Sequence, residues 1–249
     1  MNIDRHGACM SMTTFGSHVP VVWVTRTLPV ARDSATRLAR LGYECLVSPL
    51  MRVSFSRTTP DLRGVGALVF TSRNGVAAFV RRRSERNYQV FAVGDATARA
   101  ACDAGFQQVA SAAGDVTALR ELVRARGQRN AGAVLRVGAA EPAGTLIADL
   151  TADGFEVANW SAYRTIPVGE QQVLEQVGGR ARGLDAVLVY SPKAARRLAV
   201  FLEKHRLQCG DIICISPAAA APVQRRAAYR VHVAQRPDEA SLFAALSLI

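Results

Sequence analysis

Chemistry in this chain concentrates where short apolar runs give way to a small or hydroxyl residue. Six such places stand out: VVWVTR (21–26), ALVFTS (67–72), VFAVGD (90–95), AVLRVG (133–138), AVLVYS (186–191) and IICISP (212–217). An Ala-, Arg- and Leu-rich helical segment follows each, and Thr25, Thr71, Ser72, Thr97, Ser191 and Ser216 place hydroxyls near those helix starts. The first turn of a helix carries unpaired N–H groups and the positive end of its dipole, so each junction is suited to an anion. The same hydroxyls serve equally well as ordinary N-caps. In open α/β sheets, ligands bind at the carboxyl ends of strands. Two lobes facing each other across a cleft would then hold a molecule bearing several carboxylates.

Other chemistries lack their residues. There is no GxxxxGK followed by Ser or Thr, and Thr25–Arg26–Thr27–Leu28–Pro29 stands where a GxGxxG turn would follow the first strand. His6, His18, His205 and His232 are scattered, with no HxxxH or HExxH, so no metal site is expected. No GxSxG elbow occurs, and Asp95 and Glu141 are exceptions at junctions otherwise poor in carboxylates, which leaves paired-carboxylate hydrolysis unsupported. The five cysteines form no CxxC pair, and Cys45 and Cys214 sit in apolar runs as small hydrophobes. This pattern fits a reduced, cytoplasmic protein without structural zinc.

The elements that must position these junctions follow from the same pattern. Apolar β-branched runs alternating with helical stretches indicate parallel strands covered by helices on both faces, an α/β fold. The pattern also repeats at about 112–122 residues. Val21–Arg26 leads to Gly42 and ECLVSP as Val134–Val137 leads to Gly154 and EVANWSAYRT, and each glycine marks a helix end that needs a left-handed residue. Phe70–Thr71–Ser72 likewise matches Tyr190–Ser191–Pro192. Two similar lobes are expected, each a parallel sheet flanked by helices. Glu44–Phe55 and Glu156–Pro167 read as unusually long strands, and Pro49 and Pro167 suit them poorly to a sheet centre. A two-stranded β linker over 49–55 and 161–167 is the expected join.

With 249 residues, 49% of them hydrophobic, the chain is long enough for one large or two small domains and apolar enough for a core. Lys and Arg number 31 against 20 Asp and Glu, a net charge of +11. Only Lys193 and Lys204 are lysine; the rest are arginine, whose planar fork binds carboxylate or phosphate bidentately. Coding bias explains the arginines as well as function does; either way an anionic partner is favoured over a cationic one. The arginines are spread over helices without aromatic interleaving, so nucleic acid is not expected. No apolar stretch reaches transmembrane length, and residues 1–18 read as a disordered tail.

An ordered series of motifs over about residues 20–240 resembles the uroporphyrinogen-III synthase family. It comprises Thr25–Arg26, LxxLGYECLVSPL (Leu38–Leu50), VFTSRNGVAAF (Val69–Phe79), AVGDATARA (Ala92–Ala100), LxxDGFEV (Leu150–Val157), AYRT (Ala162–Thr165) and YSPKAARRL (Tyr190–Leu198). The resemblance implies cofactor-free, metal-free cyclisation of hydroxymethylbilane, a linear tetrapyrrole with eight carboxylates. The terminal hydroxyl is lost as water, the last pyrrole ring inverts through a spiro intermediate, and uroporphyrinogen III closes. It also implies interleaved lobes, one of 19–48 plus 168–249 and the other of 52–162. The family's tyrosine corresponds to Tyr163, a phenol competent to donate a proton to the departing hydroxyl; packing of a strand aromatic at a hinge is the other reading. Implied substrate-binding positions are Thr25, Arg26, Thr71, Ser72, Asn74, Gly94, Thr97, Gly138, Ser191, Lys193 and Ser216. The last turn departs from the family: Ile215–Ser216–Pro217–Ala218–Ala219 replaces a glycine and a threonine-rich turn, so the backbone amide of Ala219 is expected to do the binding there. Expected partners are the tetrapyrrole and the preceding enzyme of the pathway, with no nucleic acid, no membrane and a monomeric chain. A non-catalytic two-lobed binding protein for a small polycarboxylate is the alternative.

Overall fold

Runs as uniformly apolar as Ala67–Phe70 suit a sheet covered on both faces. The fold is that of a computed structural model describing residues 18–141, 144–179, 183–225 and 229–249. The expected tail lies outside the described residues except for His18, whose Nε2 is 3.0 Å from the Asp185 carboxylate.

The chain opens with β1 (Val21–Val24), α1 (Val30–Arg40) and β2 (Glu44–Val47). There follow β3 (Met51–Phe55), β4 (Val65–Phe70), α2 (Arg73–Val80), β5 (Gln89–Ala92), α3 (Asp95–Asp103), β6 (Gln108–Ser111), α4 (Val116–Arg126), β7 (Ala133–Ala139), α5 (Leu146–Ala152) and β8 (Val157–Pro167). The last part holds α6 (Glu170–Gly178), β9 (Ala186–Val189), α7 (Pro192–His205), β10 (Asp211–Cys214), α8 (Pro217–Gln224), β11 (Arg230–Val233) and α9 (Glu239–Leu246). Among the described residues no helix is long and apolar enough to cross a membrane.

The chain divides into two compact units, one of residues up to Leu50 with Glu170–Ile249, the other of Met51–Gly169. The first contains a five-stranded parallel sheet in the order β11-β10-β9-β1-β2. On one face Val22, Val24, Leu188 and Ile213 pack with Leu38 of α1 and Leu242 of α9. Trp23, fully buried, meets Phe201 of α7 edge to face and donates from Nε1 to the Ser48 carbonyl at 2.7 Å.

The second unit contains a six-stranded sheet in the order β3-β8-β7-β4-β5-β6, with only the β3–β8 pair antiparallel. Alternation along β4 divides its residues between two cores. Leu68 and Phe70 pack with Phe79 of α2 and Ala101 of α3, while Ala67 and Val69 pack with Leu119 of α4 and Leu150 of α5. The repeat seen in sequence has a structural basis in matching helix ends. Gly42 and Gly154, at φ 90° and 85°, end α1 and α5, and the next residue's amide returns to Leu38 and Leu150 respectively.

The expected long strand Glu44–Phe55 is instead two strands in different units. Pro49 has no amide to donate, and on either side of it Ser48 and Leu50 donate to Val24 and Thr25 carbonyls. Val157–Pro167, by contrast, runs unbroken through 11 residues and changes partner on the way. Up to Tyr163 it pairs parallel with β7; from Tyr163 to Pro167 it pairs antiparallel with β3.

Candidate functional site

In the second unit the chain leaves β4 towards β5 and β6, then returns to place β7 on the opposite side of β4. That makes the gap between β4 and β7 the topological switch point, where the connecting segments diverge and leave a crevice. A cavity of about 470 Å³ lies there, lined by Thr71 beyond β4, Arg136 on β7, Glu141, Thr145 and Leu146 after β7, and Tyr163 on β8.

Tyr163 reaches the cavity because of a bulge. The β7–β8 register passes from Gly138–Ser161 to Ala139–Tyr163, so Ala162 is left without a direct partner. Even-numbered Ala158, Trp160 and Ala162 face the core under α2 and α3, and the extra residue brings odd-numbered Tyr163 to pack against that same core. Its hydroxyl lies 2.8 Å from Ser72 Oγ. Ser72 Oγ also accepts from the Gly75 amide at 3.2 Å as the N-cap of α2. An oxygen engaged as a cap still has its own proton to give. Ser72 donating to Tyr163 Oη would leave the tyrosine proton free for a third group. A second cavity, of about 510 Å³, shares Tyr163 and adds Ser54, Arg57, Ser161 and Arg164.

Arg136 is the residue that sequence reasoning missed. It is only 3% exposed, and its Nη1 donates to Asn159 Oδ1 at 2.8 Å and to the Ala139 carbonyl at 3.3 Å. Burial pulls the guanidinium below its usual range, while nearby Tyr163 acts in the opposite direction. The signal was present in AVLRVG, where one cation interrupts a run otherwise apolar enough for a central strand. Gly138, expected to bind substrate, makes room for this side chain: a Cβ there would lie 2.7 Å from Arg136 Nη2 and 2.8 Å from Thr71 Oγ1.

The structure thus brings Thr71, Ser72, Gly138 and Tyr163 together in one unit. Asn74 lies in the first turn of α2. Gly94 is the N-cap of α3, and Thr97, one turn in, is buried rather than presented at the helix start. After Gly138 no helix follows directly; α5 begins only at Leu146.

At the corresponding switch point of the first unit, between β1 and β9, side chains engage one another. Thr25 is buried and donates to the Leu188 carbonyl at 2.6 Å. Arg26 stacks over the Tyr190 ring at 5.0 Å and pairs with Glu239 at 3.1 Å. Glu239 of α9 also receives Arg37 and the Ser34 hydroxyl. Burial, with Glu239 nearby, raises the Tyr190 phenol far above its usual range. Ser191 and Ser216 cap α7 and α8 by accepting from the Ala194 and Ala219 amides, and exposed Lys193 sits in the first turn of α7. The N-cap counterpart of Ser72 is therefore Ser191, one residue off the sequence match. The Ala219 amide, expected to serve a ligand, is occupied by Ser216 Oγ at 3.3 Å.

The family model for uroporphyrinogen-III synthase HemD matches residues 32–244. No curated protein sequence matches. Among solved structures the chain is similar to uroporphyrinogen-III synthetase from Helicobacter pylori, with 19% identity and a TM-score of 0.61 over 93% of this chain and 100% of that one. It is also similar to a mutant uroporphyrinogen III synthase from Thermus thermophilus, with 18% identity and a TM-score of 0.51 over 93% and 98% of the two chains. At these identities the likeness is one of fold.

Proposed function

Since this chain belongs to the uroporphyrinogen-III synthase family, we propose that Tyr163 supplies the proton for its reaction from the cavity at the β4–β7 switch point. The protein is a cyclising lyase of haem biosynthesis: it converts hydroxymethylbilane to uroporphyrinogen III, inverting the last pyrrole ring and releasing water. Family membership sets aside the alternative of a non-catalytic binding protein.

The observation that supports Tyr163 is its hydroxyl held 2.8 Å from Ser72 Oγ at a cavity wall. The terminal hydroxyl of the bilane leaves as water once it has taken a proton, and Tyr163 Oη is the donor in this reading. The cation left behind is delocalised onto the pyrrole nitrogen, so little further stabilisation is needed. The larger task is to hold the chain so that the last ring turns before closure. Thr71, Ser72 and Gly138 line or shape the same crevice and take part in that positioning, with Asn74, Gly94 and Thr97 on the adjoining helices. Thr25, Arg26, Ser191, Lys193 and Ser216 serve the first unit in the same sense, Thr25 and Arg26 by shaping the strand end.

Substitution Tyr163→Phe tests this. Turnover falls about tenfold or more while the circular dichroism spectrum stays unchanged, and the type I isomer from spontaneous closure accumulates in place of type III. Wild-type turnover in a folded Tyr163→Phe variant removes the tyrosine from the mechanism. We further propose that the enzyme works as a cytoplasmic monomer and receives its substrate from the preceding enzyme. Sedimentation at monomer mass, cell fractionation and co-purification are the respective checks.

A further inference from the structure

We propose that Arg136 is the residue by which the second unit's cavity takes hold of one carboxylate of the tetrapyrrole, making it a determinant of substrate affinity. The proposal deepens the reading of the cavity as the reaction site and rests on it.

Charge is out of balance at Arg136. The Arg136 side chain is 3% exposed, and a buried guanidinium normally has a carboxylate beside it. Among the described residues Arg136 makes no ion pair; its partners are the neutral Asn159 Oδ1 and Ala139 carbonyl. Elsewhere in the same unit Arg120 shows the compensated arrangement, with both carboxylate oxygens of Asp153 within 2.7 Å of its nitrogens. An uncompensated buried cation destabilises the free protein, and sites of this kind are where ligand supplies the missing charge.

Space beside the guanidinium comes from Gly138. Gly138 has no side chain at the point where a Cβ would stand 2.7–2.8 Å from the guanidinium, which leaves room for Arg136 to reach the Ala139 carbonyl at the end of β7. Thr71 Oγ1 and Tyr163 line the cavity with it, at a switch point made by the strand order. A guanidinium fork beside a hydroxyl matches a carboxylate in both charge and geometry.

The test is titration of anaerobic uroporphyrinogen III, the octacarboxylate product, into Arg136→Met by calorimetry, with steady-state kinetics and thermal melts alongside. Removing a charge-assisted pair is expected to weaken product binding about tenfold to a hundredfold and raise KM similarly, with kcat changed less than about threefold. The free variant melts at the wild-type temperature or above, because a buried, unpaired charge has been replaced by an apolar chain. An affinity within about twofold of wild type overturns the proposal whatever the melting temperature does. If Arg136→Met does not fold, Gly138→Ala decides: it keeps the arginine and displaces its guanidinium, so product affinity at least threefold weaker supports the proposal and unchanged affinity overturns it. Tyr163→Phe run in parallel separates the two readings. Full turnover in that variant removes Tyr163 as proton donor and leaves the Arg136 affinity result standing.

Discussion

At the scale of single residues, Ser72 joins the fold to the chemistry. Its oxygen ends one orphan amide of α2 and its hydroxyl meets Tyr163, so one side chain determines both where the helix starts and how the phenol is aimed. Ser72→Ala removes both at once. The lost cap costs about 1 kcal/mol, and turnover falls because Tyr163 is no longer held. Ser72→Thr retains a capping oxygen and a donor. The expected outcome is a lower melting temperature together with slower turnover in the alanine variant, and largely restored values in threonine. A melting temperature that drops without any change in turnover would confine Ser72 to capping. The contrast with Ser191 and Ser216 is informative: they cap α7 and α8 in the same way, but no tyrosine hydroxyl lies against them among the described contacts.

At the scale of elements, the second unit depends on helices being tied to one another as well as to the sheet. Arg120 of α4 holds Asp153, the residue that ends α5, by two hydrogen bonds of 2.6 and 2.7 Å. That arginine, assisted by Arg124 and Arg129, holds the Asp153 carboxyl below its usual range. A carboxyl with a depressed folded pKa adds stability above its unfolded pKa of about 3.9. That contribution is lost as pH falls through the lower, folded value. Asp153→Asn is therefore expected to lower the melting temperature at pH 7, with the difference from wild type shrinking as pH falls below about 4. A difference constant across that window would mean that the pair contributes through hydrogen-bond geometry alone. The pair joins the second turn of α4 to the end of α5, two helices whose first residues, Val116 and Leu146, line the cavity.

At the scale of the whole molecule, the second unit is a continuous insertion, Met51–Gly169, in a first unit made from both ends of the chain. Its two termini are neighbours, since Met51 and Pro167 are register partners at the end of the β3–β8 pair. Both of its cores and its whole cavity are built from residues within that stretch. A fragment of residues 51–169 is thus expected to fold by itself with a single cooperative transition, because excision breaks no strand pairing within its sheet. Dispersed amide resonances and a sigmoidal melt are the expected readouts. A fragment that stays unfolded would show that the first unit is needed to close this one.

Much of this protein was legible in its residues one at a time or in short windows. Short continuous apolar runs and the hydroxyls after them located the principal strands and several helix starts, because strand burial and capping are local matters. Gly42 and Gly154 announced their helix ends, since a left-handed turn excludes most other residues. The ordered motifs pointed to the family. Tertiary structure decided which side chains at the junctions are engaged and by what. Arg26 looked available in sequence, yet Glu239, 213 residues away, holds it at the first unit's switch point. Arg136 looked like one arginine among many, yet strand order buried it, with no ion pair among the described residues, at the cavity that Thr71 and Tyr163 also line. Tyr163 itself is aimed by a bulge that exists only once β7 and β8 are in register. Local sequence sets periodicity and turn chemistry. Charge compensation and the aim of a side chain depend on neighbours that only strand pairing and packing bring together.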